Sequence, residues 1–310
     1  MAKHYIALTI DTDPDGLNTH DPDRRNLVWD GLHFAMEHFH HALPDWPLTW
    51  YVRADGQLEY VYGTARYLLD QYADFWHEAI ARGDELGWHP HLYTVPQADT
   101  QPQIITDNQQ ALSELQRIWA IIQDLPFDLP TFRMGEAWHT IETLNLIESL
   151  GFKVDSTAIP GRDDSATGHP RNWKNAPNQP YYPAQDDICR SGEDRLLLEV
   201  PMNSWYFQAS YDKIPRLRYM NPCIHTELWE QALDYWEAQI RQNPAESYLW
   251  VLILHPAEAM PHDHPDLLYA FSVAVLRENL ARFAARITKL EHQLIATTMF
   301  KSSQKLRKSN

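Results

Sequence analysis

Short apolar, β-branched runs recur along this chain, each followed by a polar loop and then by a segment of helical periodicity. That alternation limits the fold more than any other feature of the sequence. The runs are YIALTI, LTWYV, LGWH, TFR, FKVDST, LLLEV and LWVLIL, with LIATT as a weaker eighth. Runs that are apolar on both faces belong to strands buried inside an α/β protein. Between them lie amphipathic segments such as NLVWDGLHFAMEHFHHAL, TARYLLDQYADFWHEAIAR, NQQALSELQRIWAIIQDL, TIETLNLIESLG and ELWEQALDYWEAQIRQ. The pattern predicts a parallel sheet, either doubly wound or closed as a barrel. Neither GxGxxG nor GxxxxGK follows the first run, which removes the dinucleotide and P-loop readings. Two irregular stretches rich in Pro, Asn, Arg and aromatic residues, 160–195 and 203–226, lie within the alternation and read as active-site loops.

With 310 residues and 44% hydrophobic content the chain is long enough for one large core, and no internal repeat or domain boundary is visible. Residues 1–300 read as one catalytic barrel and 301–310 as a flexible polar tail. A net charge of −16 argues against a nucleic acid or an anionic membrane surface as partner. Two cysteines make no disulfide framework, and MAKHYIALTI lacks the features of a signal peptide, so a cytoplasmic location is expected. LWVLIL is too short to span a bilayer, so no membrane insertion is expected.

The chemistry gathers at the carboxyl ends of the apolar runs. These ends carry Asp11 and Asp13, His89 and His91, Arg133, Asp155, Glu199 with Asn203 shortly after, and His255. In a parallel barrel the carboxyl ends converge on one face, so these residues would meet. A calcium loop beginning at Asp11 fails, because its twelfth position is Pro22, which has no side-chain oxygen. In HPH, an extended backbone points His89 and His91 to the same side, where one cation could take both, with Asp13 as company.

These residues carry a resemblance. TIDTDPDG, DELGWHPH, FRMGEAW, KVDSTAIPG, LLLEVPMNSW and VLILHPAE occur in the order, and at roughly the spacing, of the motifs of the NodB-like polysaccharide deacetylase superfamily. The chain looks most like the divergent branch associated with polysaccharide biosynthesis, in which TWYVRAD also finds a counterpart, and the resemblance runs to about residue 297. It implies a distorted (β/α)7 barrel of the glycoside hydrolase/deacetylase type and one divalent metal, Zn2+ first, with Co2+, Fe2+ or Ni2+ as alternatives. The implied reaction is removal of an N-acetyl or O-acetyl group from a sugar or oligosaccharide, with water activated on the metal as nucleophile.

Carried over by position, the resemblance makes Asp11 the general base, Asp13 and His89 metal ligands, His255 the acid that protonates the leaving group and Arg133 the arginine that orients the catalytic acid, holding a carboxylate bidentately. Asp155 joins the catalytic set. The family's second histidine usually follows the first by four residues, but that position here is Tyr93, a poor zinc ligand at neutral pH. Either His91, the nearby substitute, completes the site as third ligand, which is the reading favoured, or the site has two ligands and is weak.

Flat aromatic faces suit sugar rings, and Trp205 and Trp138, with Glu199 and Asn203, are the substrate-binding candidates. A phosphatase or a glycosyltransferase would use the DxD of Asp11 and Asp13 but leaves HPH and LILHP unexplained. A metal-dependent amidase on a small non-sugar amide and a metal-binding barrel without turnover remain as alternatives.

Overall fold

The computed structural model describes residues 2–15, 27–94, 103–263 and 266–307. The apolar runs form β1 (Lys3–Asp11), β2 (Leu48–Val52), β3 (Glu85–Trp88), β4 (Thr131–Phe132), β5 (Val154–Asp155) and β6 (Leu198–Glu199). After a separate hairpin of β7 (Ser204–Phe207) and β8 (Arg216–Tyr219), the sheet resumes with β9 (Tyr248–Leu254) and β10 (Gln293–Ala296). The pairings of β1–β6, β9 and β10 are all parallel, and together they make a curled, incomplete barrel. LIATT contributes the eighth strand, β10. The hairpin falls within 203–226, expected to be an irregular loop: Tyr206 and Tyr211 stay exposed, so no apolar alternation announces it.

β1 is the hub. One edge pairs with β9 from His4 to Ile10, while the other is shared, by β10 along Lys3–Ile6 and by β2 along Leu8–Asp11. Its alternate residues Tyr5 and Ala7 pack inside the barrel with Tyr51, Val154, Leu198, Val251 and Ile253. Ile6, Leu8 and Ile10 pack outward under the helices with Trp50, Trp88 and Trp250. The period of two is masked in the sequence because both faces are buried.

The helices are α1 (Asp30–Ala42), α2 (Gly56–Tyr62), α3 (Tyr67–Gln71), α4 (Ala73–Arg82), α5 (Asn108–Ile122), α6 (Ile141–Ser149), α7 (Thr226–Gln242), α8 (Val273–Lys289) and α9 (Met299–Arg307). None of them, among the described residues, is long and apolar enough to cross a membrane.

β6 and β9 do not pair, and the gap between them is stitched by other groups. The N–H of Leu249 donates to Gln179 Oε1 (2.9 Å) and that of Val251 to Asn203 Oδ1 (2.7 Å). The N–H of Ile253 donates to Met220 O (2.9 Å) and that of His255 to Glu258 Oε2 (2.8 Å). Every second N–H along this edge thus finds an acceptor outside the sheet, as buried donors must. Asn203 is 1% exposed and its Nδ2 donates to Asn178 O (2.7 Å), so its side chain is spent on closing the barrel.

The tail expected to be flexible from residue 301 is instead the body of α9, which begins against the amino-terminal end of the barrel; residues 308–310 lie outside the described residues. The first amides of α9 find acceptors there. Met299 N donates to Thr49 Oγ1 (3.1 Å) and Phe300 N to the Glu85 carboxylate (3.0 and 3.1 Å), while Ser302 and Ser303 are buried. Burial pushes Glu85 up to about 7 despite the bonds it accepts from Phe300 and Thr131.

Two predictions follow from these contacts. Asn203→Ala strands the Val251 N–H and should cost about 1–3 kcal/mol in urea unfolding; unchanged stability would mean the amide does not close the sheet. Because Glu85 is raised from 4.5, its contribution is intact below about 4.5 and is lost as pH rises through about 7. Wild type should therefore lose stability relative to Glu85→Gln between those values, which melting curves across pH will read.

Candidate metal centre

At the carboxyl end of β1 three acidic residues have three different partners. Asp11, the last strand residue, points inward and accepts from Arg133 Nη1. Asp15 accepts from Gly31 N in the first turn of α1 (2.7 Å). Asp13 lies between them, beyond the strand, facing the histidines.

Asp13 Oδ1 is 2.9 Å from His91 Nε2 and 3.7 Å from His89 Nε2, and the two imidazole nitrogens are 3.3 Å apart. The ligand atoms of all three residues lie within 4.8 Å of one another. Each ring is aimed from its far side. His89 Nδ1 donates to Arg133 O (2.8 Å), and His91 Nδ1 donates to Glu136 Oε1 (3.2 Å), which turns both Nε2 atoms toward the centre. Asp13 Oδ1 is buried, and although it is close to His91 it lacks hydrogen-bond geometry. Two nitrogens and an oxygen that converge side by side, with an orphaned anionic atom among them, fit a shared cation.

The charges agree. Burial works to raise Asp13, but the charge of His91 and the contacts with both imidazoles hold its carboxyl well below the usual range. Burial works to lower His91, and Asp13 outweighs it, so the imidazole is pushed up to about 9. Burial likewise opposes Glu136, which its bond with His91 brings down to about 2.

Tyr93 does not enter the cluster. Its hydroxyl donates to Glu136, and its ring stacks on His91 with centroids 5.8 Å apart. The residue at the usual ligand position thus steadies the carboxylate that aims His91. The shift also needs room: a Cβ on Gly135 would overlap the His91 ring, so only glycine leaves space there.

Around the cluster, Arg133 donates from all three of its nitrogens. Its Nη1 also donates to Thr9 Oγ1 (3.0 Å), its Nε to Ser156 O and its Nη2 to Ser156 Oγ (both 3.0 Å), and its guanidinium lies 4.1 Å over the Tyr51 ring. It meets Asp11 through one nitrogen, not bidentately. On the other side His255 Nε2 is 3.6 Å from Asp13 Oδ2, and His255 Nδ1 is 3.0 Å from Glu258 Oε1. Partial burial works against charge on His255, but Glu258 pushes it up to about 10.

A Mycobacterium smegmatis protein described as a polysaccharide deacetylase superposes with a TM-score of 0.52 over 98% of this chain and 90% of its own, at 17% identity. PuuE allantoinase superposes with a TM-score of 0.52 over 96% of this chain and 88% of its own, at 12% identity. The chain has the polysaccharide deacetylase fold. No protein-family model matches it, and no curated protein matches it in sequence.

Within this deacetylase fold Asp11, Asp13, His89, His91, Arg133 and His255 come together, and the remaining candidates do not join them. Asp155 and Glu199 are adjacent across β5 and β6, fully buried. Asp155 lies 3.1 Å from His139 Nε2, and Glu199 accepts from Ala158 N (2.9 Å). Burial and the charge of Asp155 raise Glu199 well above the usual carboxyl range. Trp138 and Trp205 are buried in the outer core, Trp205 stacked on Phe207 at 5.1 Å, and neither offers an open ring face.

Four contributors escaped the sequence reading: Arg53, Asp55, Glu136 and Glu258. Arg53 approaches Asp13 Oδ1 at 3.9 Å, and Asp55 binds Arg53, accepts from His91 N (3.2 Å) and caps α2. Signals existed: RAD follows β2, and Glu136 and Glu258 stand inside FRMGEAW and HPAE.

Gly135→Ala should fold yet force the His91 ring aside, so that metal bound per chain falls sharply by elemental analysis; retention of metal would show that His91 is not needed.

Proposed function

We propose that this chain is a metal-dependent hydrolase that removes an acetyl group from an N-acetylated or O-acetylated sugar. The observation that carries the reading is the Asp13, His89, His91 cluster with a carboxylate held by arginine on one flank and an imidazole held by carboxylate on the other. A divalent cation held by Asp13, His89 and His91, zinc first and cobalt, iron or nickel next, would supply Lewis acidity toward a carbonyl oxygen and toward water.

The chain's own residues do the rest. Arg133 fixes Asp11 through Oδ1, so the other carboxylate oxygen can accept the proton of the attacking water. Glu258 keeps His255 protonated, and its Nε2 gives that proton to the departing nitrogen or oxygen as the acyl bond breaks. Water supplies the new carbon–oxygen bond, and acetate and the free amine or alcohol leave.

The likeness to PuuE allantoinase at an equal TM-score supports a second reading, a metal-dependent amidase on a small non-sugar amide. The same residues would serve it, and only the loops would differ.

Purified protein should carry about one metal per chain, lost in Asp13→Ala and His89→Ala; metal retained in either variant overturns the centre. Zinc-loaded protein should release acetate from acetylated sugars, with Asp11→Asn and His255→Ala each slower by about 10²–10⁴-fold. Release of ammonia or ring-opened product from small amides instead selects the second reading, and metal binding without turnover of either class selects a barrel that has lost catalysis.

A further inference from the structure

Beside the candidate metal centre lies a cavity of about 170 Å³, walled by Arg162, Arg218, Tyr219, Asn221, Tyr269 and Phe207 among others. It abuts the site through shared groups. Asn221 Nδ2 donates to Glu258 Oε2 (2.6 Å), the carboxylate that holds His255, and Tyr269 feels both Tyr219 and Glu258. Whole small-molecule sites run to roughly 300–1,000 Å³, so this one suits a single substituent of a substrate.

Its two cations differ in kind. Arg218 is occupied: it pairs with Asp212 (3.0 Å), donates to Phe207 O (3.3 Å) and lies 4.5 Å over the Phe207 ring. Arg162 is half-buried, yet among the described residues no carboxylate pairs with it and no acceptor takes a bond from its guanidinium. The nearby Arg171 gives no relief, since it is itself a cation, bound to Asp164 and to Glu136 O. Burial and Arg171 push Arg162 down, the charge of Asp164 offsets them only in part, and a guanidinium does not lose its proton in a protein, so its charge stays without a contacting counter-ion. Burying an unpaired charge is costly, and five donors in a rigid fork suit an oxyanion. The chain's net charge of −16 repels anions at long range, which makes a retained, unpaired local cation the more telling.

We infer that Arg162 is a specificity residue, and that the acylated substrate carries an anionic substituent, carboxylate or phosphate, seated in this cavity beside the scissile bond. The inference rests on the hydrolase reading above and deepens it by naming an acidic or phosphorylated sugar as the substrate class.

The test is equilibrium binding, by calorimetry, to protein without added metal, so that it does not depend on turnover. The probes are N-acetylglucosamine 1-phosphate, glucuronate and neutral N-acetylglucosamine, against wild type, Arg162→Gln and Arg162→Lys. At least one charged probe should bind wild type about tenfold more tightly than the neutral sugar. Arg162→Gln should abolish that preference with no fall in melting temperature, and Arg162→Lys should keep part of it. Whether the phosphate or the carboxylate probe is favoured identifies the substituent. Failure of both charged probes to bind, a wild type that does not discriminate, or a preference that survives in Arg162→Gln overturns the inference. If the preference is found while acetate release is not, the cavity stands and the hydrolase reading falls; if neutral acetylated sugars are hydrolysed without any charge preference, the reverse holds.

Discussion

The register of β1 is the constraint on which the rest depends. Ile10 stands opposite Leu254 and Trp50, and Asp11 opposite Tyr51, within a strand buried on both faces. Sliding it by one residue would turn Asp11 out into the apolar layer under the helices and bring Ile10 into the barrel mouth, so hydrophobic sorting alone fixes where the acids emerge. The curl of the parallel sheet then brings the ends of β3, β4 and β9 to the same rim. The chemistry of the mouth is thus a by-product of how the strand buries Ile6, Leu8 and Ile10.

Charge at that rim is organised in pairs. Asp11 is matched by Arg133, Asp55 by Arg53, Glu136 by His91 and Glu258 by His255. Charged groups set back from water persist when each has a counter-charge and hydrogen bonds, and taking one partner away leaves the other exposed to the full desolvation cost. Asp13 is the acid that faces several imidazoles at once, and that asymmetry separates the centre from the scaffold of pairs supporting it.

Much of this was legible from sequence because the fold writes its strands as apolar runs and puts polar residues where they end. Asp13, His89 and His91 converge as strand-end residues should. His91 could be chosen over Tyr93 because a phenol is a poor ligand at neutral pH. Other features were illegible for physical reasons. Asn203 reads as a site residue from its place just after β6, and only the gap between β6 and β9 reveals that its amide substitutes for a missing strand. The α9 segment carries so many Lys, Ser and Gln residues that it resembles a solvated tail; its order comes from acceptors supplied by Thr49 and Glu85, more than two hundred residues earlier. Trp138 and Trp205 show the limit of composition, since a ring able to stack on a sugar is equally able to fill a core.

The close approach of Gly135 to His91 ties two positions from different strands' loops into one unit of change. With an imidazole at position 91 the opposite loop has to present a bare Cα at 135, and a side chain there would displace the ring. The place of this imidazole and the bare Cα of residue 135 are therefore a single steric requirement.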